Sequence, residues 1–246
     1  MRRIGFSTGA ISRGDFRRAL GVLVRHELDV VELSALRVNE LEPLMAALPT
    51  LDLSSFSFVG VHAPSRFGQS DESVIVASLS KIPAPIPIVV HPDVLFNPDL
   101  WIQFGSRLLI ENMDKRKPVG RTVTELIPLF AALPEARFCF DVGHARQVDP
   151  SMTESVLLLR EFGSRLAEVH ISEVNTSSRH DPISTSAVWA FQSVSRYIPE
   201  ETPIVIESLI DQGQIDLLTE VRNAREALEI DAMIAAGYGS LQSLGR

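Results

Sequence analysis

Short apolar runs alternate with longer amphipathic stretches along most of the chain. The runs have the length of buried β-strands, and the stretches repeat apolar residues with the spacing of helices that cover a sheet. We predict eight strands, at Ile4–Ser7, Val30–Leu33, Phe58–His62, Ile88–His91, Leu108–Glu111, Phe138–Asp141, Ala167–Ile171 and Ile204–Glu207. Strands that alternate with helices in this way are typical of a parallel sheet.

The stretches between the strands predict helices of ordinary length. These are Asp15–His26, Val38–Leu48, Thr122–Leu133, Ser151–Phe162, Ala187–Tyr197 and Ile215–Ala235. Shorter helical segments are predicted at Ser73–Ser80 and Pro98–Phe104. Prolines 83, 85 and 87 favour an extended approach to the fourth strand, because each proline ring fixes the backbone away from helix propagation.

Eight strand-then-helix units in 246 residues match an α/β protein of the (β/α)8 TIM barrel type, which takes about 250 residues. The alternative is a doubly wound open sheet. The turn after its first strand would usually be rich in glycine, whereas Ser7-Thr8-Gly9-Ala10-Ile11-Ser12 lacks the GxGxxG pattern. No composition shift divides the chain, so we predict a single domain over residues 1–246.

Charge and cysteine content narrow the class of protein further. A net charge of −8 gives the chain no basic excess for coating nucleic acid, which favours a small-molecule substrate. No apolar run approaches the roughly 18 residues of a membrane span. A single cysteine, Cys139, cannot form an intrachain disulfide, so we expect a reduced, cytoplasmic protein. Barrels of this kind often form dimers, so a homodimer is a possible assembly.

Metal-competent side chains stand at the carboxyl ends of seven predicted strands. They are Glu32, His62, His91, Glu111, Asp141, His170 and Glu207. One such residue alone is most often structural, but a closed barrel would bring all seven around a single mouth. Buried carboxylates need cations to offset their charge, and we therefore predict a divalent metal site.

The donor types narrow the choice of ion without fixing it. Imidazole and carboxylate without thiolate suit Zn or Mn, and Co, Fe or Mg remain possible. Two further histidines, His144 and His180, follow strands near the same mouth.

The strand ends resemble those of the xylose-isomerase-like barrels, which comprise sugar isomerases and epimerases and the endonuclease IV group of DNA-repair enzymes. The resemblance covers nearly the whole chain. Its segments are Val30-Val31-Glu32-Leu33, Val61-His62-Ala63-Pro64, Val89-Val90-His91-Pro92, Leu109-Ile110-Glu111-Asn112, Phe140-Asp141-Val142-Gly143-His144, Val169-His170-Ile171-Ser172-Glu173 and Val205-Ile206-Glu207.

The resemblance to the isomerases and epimerases implies one divalent ion on four ligands. These ligands match Glu111, Asp141, His170 and Glu207. It also implies that Glu111 and Glu207 are catalytic and move protons.

The resemblance to the endonuclease IV group implies a zinc cluster with more histidine ligands. These match His62, His91 and His144, together with an Asp-x-His pair after the seventh strand. Ser178-Arg179-His180 stands in place of that pair, so His180 matches and Ser178 replaces the aspartate. That replacement departs from a complete three-zinc site.

Two reactions follow as hypotheses. The first is isomerisation or epimerisation of a small sugar, sugar phosphate or polyol through an enediolate. In that reaction, we expect substrate contacts from His144, Arg179, His180 and Glu32. The alternative is zinc-dependent phosphodiester hydrolysis of the abasic-site endonuclease type, which His62 and His91 favour. A barrel that binds metal without catalysis is the third hypothesis.

Overall fold

The computed structural model describes residues 2–210 and 216–228 as a closed barrel of eight parallel strands. The barrel strands are β1 (Ile4–Ser7), β2 (Val30–Ser34), β3 (Phe58–His62), β4 (Ile88–Val90), β5 (Leu108–Glu111), β6 (Arg137–Asp141), β7 (Leu166–Ile171) and β10 (Ile204–Ile206). Each strand pairs with the next, and β10 pairs with β1 to close the ring. The predicted (β/α)8 barrel is confirmed, and the open sheet is excluded.

Helices follow most strands and cover the barrel. They are α1 (Thr8–Ser12), α2 (Phe16–Arg25), α3 (Val38–Ala47), α4 (Glu72–Leu79), α5 (Val123–Ala132), α6 (Val142–Val148), α7 (Thr153–Phe162), α8 (Thr185–Ser195) and α9 (Leu217–Leu228). Among the described residues, no helix is long and apolar enough to pass through a bilayer.

The sequence missed two short helices and one hairpin. Helices α1 and α6 begin directly after β1 and β6, where no helix was predicted. Strands β8 (Glu173–Val174) and β9 (His180–Asp181) form an antiparallel pair in the loop after β7. The predicted helix at 98–104 is instead a pair of short 3-10 segments. The predicted helix at 215–235 is confirmed over 217–228; Asp216 precedes the helix, and residues 215 and 229–235 lie outside the described ranges.

Side chains that point into the barrel form layers, because alternate residues of a strand face the same side. Val89, Leu109 and Cys139 form a small buried apolar cluster. Each lies two residues before His91, Glu111 or Asp141 respectively, so this cluster is the layer immediately beneath the polar strand ends. The larger apolar core packs the helices against the outside of the strands.

Close approach of β1 to β2 requires a glycine at position 5. A Cβ at Gly5 would overlap the backbone carbonyl of Val30. The missing side chain therefore lets β1 enter the ring at its observed register.

Candidate metal centre

The barrel brings all seven predicted strand-end residues to one end of the molecule. His62, Glu111 and Asp141 are the last residues of their strands, and His91 and Glu207 follow theirs immediately. All seven side chains are buried or nearly so, and the most open, Glu207, is 13% exposed. Such depth arises because a parallel barrel strand is covered on both faces.

Glu111 lies at the centre, with both carboxylate oxygens facing histidines. Its Oε2 is 3.3 Å from Nε2 of His62 and 3.2 Å from Nε2 of His91. Its Oε1 is 3.3 Å from Nδ1 of His144 and 3.5 Å from Nδ1 of His170. One carboxylate therefore serves two groups of imidazoles on opposite sides.

Candidate ligand atoms of the described residues fall into four groups, in each of which they lie within 4.8 Å of one another: three at the mouth of the barrel, and a deeper one of Glu32, Glu168 and His170. We call the three at the mouth the His62 cluster (His62, His91 and Glu111), the His170 cluster (Glu111, Asp141, His170 and Glu207) and the His144 cluster (Asp141, His144 and His180). Glu111 joins the first two clusters, and Asp141 joins the last two.

Helix α6 positions two members of the His144 cluster. Asp141 caps this helix, since its Oδ1 accepts a hydrogen bond from the backbone N–H of His144 at 2.7 Å. Its other oxygen, Oδ2, faces the His144 ring at 3.3 Å. His180 reaches the same place from β9, with Nδ1 3.4 Å from Oε2 of Glu207.

A deeper pair of carboxylates lies under His170. Oε2 of Glu32 is 3.2 Å from Nε2 of His170, and Oε1 of Glu168 is 3.5 Å from the same nitrogen. Both glutamates are fully buried. Glu168 was not predicted, because one glutamate within a strand gives no sign of the face it occupies until the barrel closes.

Several buried polar atoms in this region make no hydrogen bond with any described residue. They are Oε2 of Glu32, Nδ1 of His91, Oδ2 of Asp141, both oxygens of Glu168 and both ring nitrogens of His170. A buried donor or acceptor without a partner costs about 1–3 kcal/mol, so native proteins seldom keep so many together. Divalent ions on imidazole and carboxylate ligands would satisfy Asp141 Oδ2 and His170 Nδ1, and the donor set therefore fits Zn or Mn.

In the protein without metal, burial and neighbouring charges shift the pKa values of several of these side chains. Burial alone would lower the pKa of His62, but the carboxylates of Glu32 and Glu111 outweigh it and raise the pKa to about 9. His144 is raised to a pKa of about 10 against burial, chiefly by Asp141 and Glu111. Burial raises the pKa of Asp141 to about 6.

The pKa of Glu111 is held well below its ordinary value, because the surrounding histidines outweigh the effect of burial. Burial raises the pKa of Glu168 to about 7.

A cavity of about 220 Å³ opens above the clusters. Predicted residues in its wall are His62, His91, Glu111, His144, His180 and Glu207. The structure adds five polar residues that sequence reasoning missed, Ser7, Ser65, Asp114, Arg116 and Lys117. Three of these lie in the long loop after β5, whose path the sequence pattern does not define.

Two residues predicted to bind substrate lie elsewhere. Glu32 is fully buried beneath His170 and is not part of the cavity wall. Arg179 borders a neighbouring cavity, and its Nε lies 3.4 Å from Oδ1 of Asp181. Neither residue therefore contacts a substrate in the main cavity directly. Glu32 is enclosed by the barrel, and Arg179 lies in the β8–β9 hairpin beside the neighbouring cavity.

Ser178, at the position where the endonuclease IV resemblance expects an aspartate, is also buried. Its hydroxyl donates to Oδ1 of Asp114 at 2.8 Å. Asp141, rather than a residue of this loop, supplies the carboxylate of the His144 cluster.

Comparisons of the sequence with family models and with characterised proteins give no match. Comparison of the fold finds endonuclease IV from Thermus thermophilus, with a TM-score of 0.56 and 17% identity, covering 91% of this chain and 96% of that one.

Dihydropteroate synthases from Yersinia pestis and Xanthomonas albilineans have TM-scores of 0.48 and 0.46, at 8% and 13% identity. The Yersinia match covers 91% of this chain and 93% of that one, and the Xanthomonas match 93% and 94%. The match to endonuclease IV confirms the fold, a (β/α)8 barrel that this chain shares with that enzyme.

Proposed function

We propose that this protein is a divalent-metal-dependent hydrolase that acts on a phosphate ester of a small substrate. The observation that carries the proposal is the shared carboxylate of Glu111, whose two oxygens face two different histidine-containing clusters. A carboxylate placed between two groups of ligands suits a pair of neighbouring ions. Paired ions are typical of phosphoryl-group hydrolysis.

The ligands divide naturally between such ions. The His62 cluster, with two imidazoles and one carboxylate, suits zinc. Asp141, His170 and Glu207 would complete a second site with the other oxygen of Glu111. Bound divalent ions lower the pKa of water and neutralise charge on phosphate oxygens.

Two basic side chains border the cavity, and its size limits the substrate. Lys117 lies in the wall, where its ammonium group contacts Asp93 at 2.9 Å, and Arg116 borders the same space. The cavity volume of about 220 Å³ suits a small phosphate ester. A DNA duplex, the substrate of an abasic-site endonuclease, would need additional contacts outside this cavity.

The test combines metal content with hydrolysis. The full chain, purified without a metal-affinity tag and loaded with Zn²⁺ or Mn²⁺, is assayed on bis(4-nitrophenyl) phosphate and on an abasic duplex. We expect at least two ions per chain and hydrolysis of the small ester. His62→Ala should lose one ion and most of the activity, whereas His26→Ala, an exposed histidine of α2's C-terminus, should change neither.

Isomerisation is the second candidate, and one observation favours it. Oε1 of Glu111 and Oε1 of Glu207 lie 3.5 and 3.6 Å from the same atom, Nδ1 of His170. This arrangement suits proton removal by one carboxylate and proton return by the other.

Solvent deuterium exchange distinguishes the two candidates. Aldoses, ketoses and their phosphates are incubated with the metal-loaded protein in deuterated water and followed by NMR. Isomerisation would be the better assignment if deuterium exchanges at a carbon next to a carbonyl and if this exchange persists in His62→Ala with a single bound ion. Metal binding with neither reaction would leave a binding protein.

A further inference from the structure

Glu32 and Glu168 are two carboxylates that the proposed reaction leaves without a role. Both are fully buried, and neither lines the cavity. Glu168 lies two residues before His170 on β7, so it belongs to the deeper layer of the barrel. Neither glutamate can touch a substrate from these positions. Both lie within 3.5 Å of one candidate ligand, His170.

The two ring nitrogens of His170 face different surroundings. Nδ1 points toward Glu111 and Glu207, at 3.5 and 3.6 Å from their nearest oxygens. Nε2 points down to Glu32 at 3.2 Å and to Glu168 at 3.5 Å. A neutral imidazole has one N–H donor and one lone pair, and the partner of one nitrogen decides which role the other can take.

We propose that Glu32 is the positioning residue of the metal centre: it holds the Nε2 proton of His170 and thereby presents the Nδ1 lone pair as a ligand. The inference rests on the proposed metal centre. Glu32 was predicted to contact the substrate; in this proposal it acts on the ion through His170 instead. Metal-ligating histidines generally need such an acceptor on the far side of the ring.

Glu32 is itself fixed from the opposite side. Ser34, two residues further along β2, places its hydroxyl 3.5 Å from Oε1 of Glu32. The hydroxyl of Ser34 also bonds to Ser7, and its backbone N–H donates to the hydroxyl of Thr8 at 2.8 Å. Strands β1 and β2 therefore hold the acceptor in place, and a held acceptor fixes both the tautomer and the tilt of the ring.

Glu168 is the weaker candidate for the same task. Its nearest oxygen is further from Nε2, and both of its oxygens lack a hydrogen bond with any described residue, whereas Glu32 lacks one only at Oε2. Ser34 provides Glu32 with a neighbour that Glu168 lacks among these contacts. Since His170 has only one Nε2 proton, the nearer and better-held carboxylate takes it.

The test measures Zn²⁺ affinity rather than activity. The full-length wild type and the variants Glu32→Leu, Glu32→Gln and Glu168→Gln are titrated with Zn²⁺ against a chromophoric chelator, and Co²⁺ absorption spectra report on imidazole ligation. We expect Glu32→Leu to weaken one ion by about 10–100-fold, the usual effect of removing such a partner. Glu32→Gln retains an acceptor oxygen and should weaken the same ion less.

A matched control separates positioning from packing. Glu72 is also a buried glutamate, but it accepts hydrogen bonds from Trp101 and Asn97 away from the clusters. Glu72→Gln should leave both Zn²⁺ affinity and the Co²⁺ spectrum unchanged. Unfolding of the metal-free forms verifies that each variant is folded before titration.

Three results would overturn the proposal. They are equal Zn²⁺ affinity in both Glu32 variants and the wild type, an equal loss in Glu72→Gln, and a larger loss in Glu168→Gln than in Glu32→Gln. If the wild type itself takes up no Zn²⁺, the proposed function fails and this inference fails with it. That outcome is distinct, because it appears before any variant is compared.

Discussion

Glu111→Gln removes the charge that the His62 and His170 clusters share while keeping the size of the side chain. In the protein without metal, Oε2 of Glu111 lies 3.3 Å from Nε2 of His62, whose pKa is raised to about 9. A unit charge pair at such a distance has an energy of about 5 kcal/mol at an effective dielectric constant of about 20. Desolvation offsets part of this energy, and losing one partner of a buried pair costs about 3–5 kcal/mol. We expect the free energy of unfolding to fall by that amount.

The measurement is urea unfolding in the presence of a chelator, followed by circular dichroism and extrapolated to water. Glu125→Gln is the matched control, since Glu125 pairs with the partly exposed Arg121 at 2.6 Å. An exposed pair contributes at most about 1 kcal/mol, and the control should therefore lose little stability. In parallel, metal content after loading should fall by at least one ion in Glu111→Gln.

A small loss would refute the reasoning. If Glu111→Gln and Glu125→Gln each cost less than about 1 kcal/mol, the histidines around Glu111 do not form ion pairs with it. If Glu111→Gln also binds as many ions as the wild type, Glu111 is not a shared ligand.

Three further predictions concern pH, backbone packing and a buried hydrogen bond. Folding raises the pKa of His62 to about 9 and that of His144 to about 10 from 6.5, so this stability is complete below pH 6.5 and is lost as pH rises through those values. The urea midpoint of the metal-free protein should accordingly fall between about pH 7 and about pH 10, and a rising midpoint would contradict the assignment. Gly5→Ala should lower stability by about 3 kcal/mol, since its Cβ meets the Val30 carbonyl, whereas Gly163→Ala, with nothing within 4 Å, should be nearly neutral in a thermal melt. Glu72→Ala should cost about 1–3 kcal/mol, because Trp101 Nε1 loses its acceptor at 2.9 Å; unchanged unfolding monitored by tryptophan fluorescence would count against this.

The strands could be predicted because apolar runs end abruptly at charged or imidazole side chains. Strands β1, β3 and β5 begin and end at the predicted residues, and the polar ends follow from the same pattern. Helix α6 escaped prediction, since seven residues that include Gly143 give no helical period. That glycine is required by packing, as its Cβ would overlap the carbonyl of Ser172.

The site could be predicted only as far as strand ends define it. Seven strand-end residues lie together as expected, because a closed barrel of eight parallel strands brings their carboxyl ends to one mouth. Lys117 and Asp114 could not be identified, since a loop path depends on contacts such as that between Asp114 and Ser178. The inward depth of Glu32 and Glu168 depends on barrel geometry, which a linear pattern of polar residues does not contain.

Asp141 shows how tightly two requirements can be joined in one side chain. One of its oxygens starts helix α6 through the N–H of His144, and the other faces the His144 and His170 clusters. Asparagine could keep the helix start and lose the ligand charge, whereas alanine would lose both. Substitution at this position is therefore constrained twice: asparagine could give up metal binding while the helix keeps its start, whereas a residue without a side-chain oxygen would need another group to cap the helix first.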